Sequence, residues 1–247
     1  MKAYKEMLKT ELRLSFRGMD MLIFAIILPV IILIALGIIY GNKPAFEGAN
    51  YTFLEQSFGA LVSVAICAGG VMGLPLVISD YREKKILKRF KVTPVKPTVL
   101  LFVQVSIYFL YALVSLLTLA VIATFIFEVR LKGSIFLFLL GWLLVLCSLF
   151  SIGLMVGGIA KNAKIAGILA SVLYFPMLIF SGATLPYEVM PSSMQKVVDV
   201  MPLTQGIKVL KAATLGLTVE NILFPIFMLA ALTVICLFVG IRFFKWE

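Results

Sequence analysis

Residues 21–40 read MLIFAIILPVIILIALGIIY, and the apolar run they begin, 21–41, contains no Asp, Glu, Lys or Arg. About 20 residues of helix cross the ~30 Å hydrocarbon core of a bilayer. Helix is the form such a run must take, because backbone polar groups in lipid have to pair within the segment. Five further uncharged runs follow at 57–79, 98–127, 134–160, 165–185 and 221–241. None shows the alternation of about ten residues that a barrel strand requires. The pattern predicts an all-α integral membrane protein with six transmembrane helices. It also leaves no span with an ionisable residue suited to proton or ion coupling.

The chain has 247 residues, 62% of them hydrophobic, so six spans leave no room for a soluble domain within it; we read 1–247 as one transmembrane domain. The net charge of +10 is arranged by side. Sixteen of the 22 Lys and Arg fall in residues 1–20, 80–97 and 161–164 and after 241; the alternate loops hold six. This asymmetry follows the positive-inside rule and predicts both termini in the cytosol of a plasma-membrane protein. It makes the basic balance a topology signal and argues against nucleic acid as a partner. Cys67, Cys147 and Cys236 all lie in spans without metal-ligand spacing, which suits packing, and the chain has no His. No small-residue cleavage site follows the first apolar run, so a cleaved signal peptide is not expected.

Residues 1–20 predict an interfacial helix. At 100° per residue Tyr4, Met7, Leu8, Leu12, Leu14, Phe16 and Met19 share one arc, opposite Lys2, Lys5, Lys9, Arg13 and Arg17. Glu11 falls inside the apolar arc, either tolerated at its edge or marking a protein partner. Pro29, Pro75, Pro176 and Pro225 lie within spans and predict kinks. The third run, about 30 residues or ~45 Å of helix, must tilt or project beyond the bilayer. Between spans five and six, Pro186, Pro191 and Pro202 divide residues 186–220; Ser192–Val200 and Leu203–Thr214 predict two short outer interfacial helices.

Residues 79–97, SDYREKKILKRFKVTPVKP, are the most specific stretch. Asp80 suits an N-cap, with Glu83 completing a capping box. Ile86, Leu87 and Phe90 would line one side of a short helix. Arg82, Lys84, Lys85, Lys88, Arg89 and Lys91 would cover the rest, and Thr93 before Pro94 would stop it. Such a helix is either a juxtamembrane basic loop touching anionic lipid or a docking surface whose apolar stripe a partner buries.

This loop resembles the cytosolic coupling segment of the type-2 ATP-binding-cassette (ABC) exporter permeases. There an Arg-Glu pair precedes a basic amphipathic stretch and a Thr-Pro, as in Arg82, Glu83, Leu87, Lys88, Arg89, Thr93 and Pro94. The family often carries Gly where this chain has Lys85. FSGATLPYEVMP at 180–191 and MPLTQGIKVLKAATLG at 201–216 resemble the family's outer segment, through Ser181, Gly182, Pro186, Pro191, Pro202, Leu203 and Thr204. The likeness covers essentially the whole chain. It implies a permease subunit of an ATP-driven exporter, paired with a second copy or a homologue and with ABC ATPase subunits. Arg82, Glu83, Ile86, Leu87, Lys88, Arg89, Phe90, Thr93 and Pro94 would dock the ATPase. No Gly-x-x-x-x-Gly-Lys-Ser/Thr phosphate loop is present, so no catalytic site and no cofactor are expected on this chain. ATP and Mg would belong to the partner.

Gln104, Tyr108, Tyr111, Ser115 and Thr118 recur at steps of 4, 3, 4 and 3 and form a polar seam on span three. The seam serves interhelical hydrogen bonding or lines a translocation path. Gly153 and Gly157 predict a close helix contact. The absence of charge in the spans slightly favours a neutral or amphipathic substrate. An ion-coupled secondary carrier and a non-transporting anchor or sensor are the alternative readings.

Overall fold

A computed structural model of the chain describes residues 2–18, 22–41, 43–46, 48–90, 97–182, 190–217 and 222–244. Among them, helices α1 (Lys2–Gly18), α2 (Ile23–Tyr40), α3 (Phe53–Glu83), α4 (Ile86–Phe90) and α5 (Pro97–Phe125) come first. Helices α6 (Ile135–Ile159), α7 (Ala163–Phe180), α8 (Ser192–Val198), α9 (Pro202–Leu215) and α10 (Leu223–Arg242) complete the order. The only β feature among the described residues is a single bridge between Pro44 and Thr52. Six helices, α2, α3, α5, α6, α7 and α10, are long and apolar enough to cross a membrane. The chain is an all-α integral membrane protein.

Burial ranks the spans. The apolar window of α3 is 83% buried, whereas those of α2, α7 and α10 are 22% buried. Thus α3 is the central post, and the other three present most of their surface outward, which lipid can cover. Glycines let α6 cross α3 at backbone distance. A Cβ on Gly153 would fall 1.9 Å from the Gly70 carbonyl oxygen, and one on Gly157 would fall 3.0 Å from Pro75 Cα. Close approach of this kind is how helices associate where no hydrophobic force separates lipid from protein.

The prolines act differently from one another. Pro29 and Pro75 each follow a π-helical turn, Ile23–Ile27 and Ala68–Gly73 respectively. Widening the turn ahead of a proline accommodates its missing N–H and its ring. Pro176 sits inside α7. Pro225 is the third residue of α10, where the first-turn N–H groups have no intrahelical partner in any case, so no kink arises there.

The segment between spans five and six departs most from expectation. Helix α9 does not lie on the outside of the bundle: it is buried along most of its length and wedged against α3, α6 and α10. Again glycines admit it. A Cβ on Gly59 of α3 would fall 3.0 Å from the Lys211 nitrogen, and Gly206 of α9 lies against Val145. Its polar residues misled the sequence reading, because Lys208 reaches back to pair with Asp199 at 2.6 Å. Helix α8 remains peripheral, with Val197 and Val200 exposed.

Candidate functional site: the elbow after α3

Helix α3 does not stop at the membrane-span boundary, and Asp80 is not an N-cap. The helix runs through Asp80 to Glu83, and Asp80 instead pairs with Lys84 at 2.8 Å, one turn on. This exposed pair raises the Lys84 pKa, chiefly through the Asp80 hydrogen bond. The break comes at Lys84–Lys85. The Lys85 N–H donates to the Arg82 carbonyl, and Lys85 adopts φ +57°. That left-handed conformation favours glycine, which accounts for Gly being common there in the family the loop resembles. Helix α4 then leaves at a new angle for five residues.

Arg82, expected on the docking face, is buried. Its Nη1 donates to the Gly157 carbonyl at 2.9 Å and to that of Ala160, and its Nη2 donates to Gly158 at 3.1 Å. Its guanidinium carbon lies 5.3 Å from the centre of the Phe244 ring. These carbonyls end α6, where helix geometry leaves acceptors without intrahelical donors and the dipole is negative. Glu83 does the converse. Its Oε2 accepts the Ala163 N–H at 3.0 Å, the first residue of α7, where the dipole is positive. Asn162 adds a side-chain cap on the Ile165 N–H at 2.9 Å. Two adjacent residues of α3 therefore hold both sides of the α6–α7 connection.

The expected apolar stripe is also partly absorbed. Leu87 is buried and Ile86 half-buried, whereas Glu83, Lys84, Lys85 and Lys88 are exposed. The side chains of Arg89 and Phe90 are outside what is described, as are Thr93 and Pro94 altogether. What the elbow displays is thus a charged rim on an internally anchored turn.

The seam on α5 is buried at Gln104, Tyr108, Tyr111 and Ser115 and half-buried at Thr118. Much of it meets α1. Tyr111 donates to Ser15 Oγ at 2.6 Å, and Gln104 Nε2 donates to Glu11 Oε2 at 3.0 Å and to the Tyr81 hydroxyl at 3.0 Å. Tyr81 also donates to Glu11 Oε2, and Tyr4 bonds Ser106 at 2.6 Å. Thr118 bonds its own helix at the Val114 carbonyl. Ser115 Oγ finds no partner among the described residues. Glu11 is therefore not a residue tolerated at the edge of a lipid-facing arc: it is the acceptor that ties α1 to α3 and α5. Tyr4, Met7, Leu8 and Leu12 pack against the bundle, so half of the arc expected to face lipid faces protein; Leu14 and Phe16 remain exposed. The misfit of Glu11 in that arc and the polar seam on α5 were the sequence signals for this cluster; Tyr81 and Ser106 gave none.

At the opposite end of α3 the sequence reading missed Glu55. Thr52 and Glu55 form a reciprocal capping box, and Lys132 pairs with the buried Glu55 carboxylate at 3.1 Å.

Five apolar helices around the buried post α3, with a clamped turn at one end, define a multi-pass membrane protein. Its sequence matches the family model described as ABC-2 type transporter over residues 2–215, and the chain belongs to that family. It is also similar to the protein named inner membrane transport permease YhhJ of Escherichia coli strain K12 and to its namesake in Shigella flexneri. Each is 30% identical over 132 residues. That match covers 53% of this chain and only 35% of each relative.

Proposed function

We propose that the chain is the membrane-spanning permease of an ATP-driven exporter and draws its work from a separate ATPase through the α3–α4 elbow. Two permeases, identical or homologous, would associate with two ATPase subunits that bind ATP and Mg. The elbow and both termini would lie in the cytosol. The orientation is supported by the gathering of α1, the elbow, the α6–α7 connection and Phe244 at one end of the bundle, because these are the segments richest in Lys and Arg. The transport role is supported by the family and by the names of the partial relatives.

The observation that carries the coupling role is the Arg82–Glu83 clamp. An ATPase pressing on the exposed rim of the elbow would move α6 and α7 as well as α3, because adjacent residues grip both helix ends. The seam on α5 we assign to holding α1 in place rather than to the path. Affinity purification of the chain in mild detergent should bring an ABC ATPase in equal amount. Glu83→Lys should insert and keep that ATPase yet lose substrate-stimulated hydrolysis. Vesicles in which the chain alone moves cargo uphill on an ion gradient would refute the proposal.

A further inference from the structure

A cavity of about 700 Å³ lies between α1, the ends of α3 and α5, and the start of α7. That volume is in the range of small-molecule sites, roughly 300–1,000 Å³. Its chemistry is divided. Glu11, Tyr81, Gln104 and Tyr108 supply a polar wall, and Leu14, Leu76 and Ile86 supply an aliphatic one. There the amphipathic α1 meets the ends of two spans, an arrangement that suits the level where hydrocarbon gives way to headgroups.

The lining carries one uncompensated negative charge. Asp80 is matched by Lys84. Glu11 has no cationic partner among the described residues: both its hydrogen bonds come from neutral groups, Tyr81 and Gln104, and both fall on Oε2. Oε1 is left without a protein donor among the described residues, and it is not sealed from solvent. A half-buried carboxylate in that state favours a cation. No group of three or more metal-ligating side chains exists among the described residues, which argues against a metal ion. A primary ammonium, with three donors, suits a carboxylate oxygen in a wall that also carries the Tyr81 and Tyr108 phenols. Beside it the Lys84 ammonium has three donors and gives one to Asp80, so a phosphate oxygen can join the pair without displacing it.

We propose that this cavity seats the headgroup of a zwitterionic lipid bearing a primary ammonium, of the phosphatidylethanolamine class. The ammonium meets Glu11, the phosphate meets Lys84, and the glycerol end lies along the aliphatic wall. The proposal stands on the fold alone and does not depend on the transporter reading.

The test is native mass spectrometry of the full chain, purified in detergent and mixed with acyl-matched phosphatidylethanolamine, phosphatidylcholine and phosphatidylglycerol. The parent chain should retain phosphatidylethanolamine about tenfold over the other two, a discrimination of ~1.4 kcal/mol. Glu11→Gln should abolish that preference. Leu14→Trp, which narrows the cavity from an exposed position and leaves the carboxylate in place, should lower retention of phosphatidylethanolamine several-fold at an unchanged melting temperature. Equal retention of the three lipids by the parent would overturn the proposal. So would a preference for phosphatidylglycerol, undiminished phosphatidylethanolamine retention in Leu14→Trp, or an undiminished ethanolamine preference in folded Glu11→Gln.

Discussion

Replacing Arg82 by Ala removes three hydrogen bonds from the last carbonyls of α6 and the cation from the Phe244 ring. A buried acceptor left unsatisfied costs about 1–3 kcal/mol. The clamp lies at an end of the bundle, where water can reach part of the gap, so we take the lower figure for each carbonyl. The sum is ~3 kcal/mol, with roughly 0.5–1 more for the cation–π contact. In a chain of this length 1 kcal/mol shifts the melting temperature by about 2–4 °C, so Arg82→Ala should melt ~7–16 °C below the parent. Arg82→Lys keeps the charge at the negative end of α6 but lacks the planar fork, and should fall between, at about 1–2 kcal/mol. The assay is size-exclusion-detected thermal melting in detergent, paired with hydrogen exchange over residues 160–165. Exchange there should rise in Arg82→Ala, because the connection loses its tether. If Arg82→Ala melts within about 2 °C of the parent with unchanged exchange, the clamp does not hold the α6–α7 connection.

Gly153→Ala should destabilise by ~1–3 kcal/mol, because its Cβ would fall 1.9 Å from the Gly70 carbonyl oxygen and the helices must part. Gly157→Ala, at 3.0 Å from Pro75 Cα, should cost less in the same thermal assay. Lys85→Gly should leave stability within about 1 kcal/mol of the parent, because φ +57° suits glycine. Lys85→Pro should break the turn, since proline fixes φ near −65° and removes the N–H that Arg82 accepts, and proteolysis at the elbow should report it.

The six spans were legible because a long uncharged run is a property of the chain itself, independent of what it packs against. The fate of α9 was not. Thr204, Gln205, Lys208 and Lys211 give it the polarity of an interfacial helix, and nothing local reveals that glycines on α3 and α6 open a slot for it. The elbow failed for a related reason. Asp80 and Glu83 have the spacing of a capping box, and that local signal gave way to open backbone groups at the ends of two helices 75 or more residues away in sequence. The seam on α5 could be placed on one face by its steps of four and three. Its partner, α1, could not, because hydrogen bonding across helices leaves no periodic trace.

The distribution of charge along α3 bears on how force would pass through the bundle. Its middle carries no Asp, Glu, Lys or Arg, and charge on the post is confined to its ends: Glu55 held by Lys132 at one, Asp80, Arg82 and Glu83 at the other. Between them the helix is interrupted by the π turn Ala68–Gly73 and Pro75, at the very level where Gly70 meets Gly153. A π turn has looser hydrogen bonding than the α-helix around it and marks where bending is easiest. The half of α3 that carries the elbow is fastened to α6 and α7 by charged groups. The other half is fastened to α9 by close backbone contact and to Lys132. A push on the elbow therefore reaches the α6–α7 connection directly and reaches Glu55 only across the π turn. Spin labels near the elbow and near α9 should then move by different amounts when nucleotide binds the complex. Equal displacement at both ends would mean that α3 moves as one rod and that the π turn serves only to accommodate Pro75.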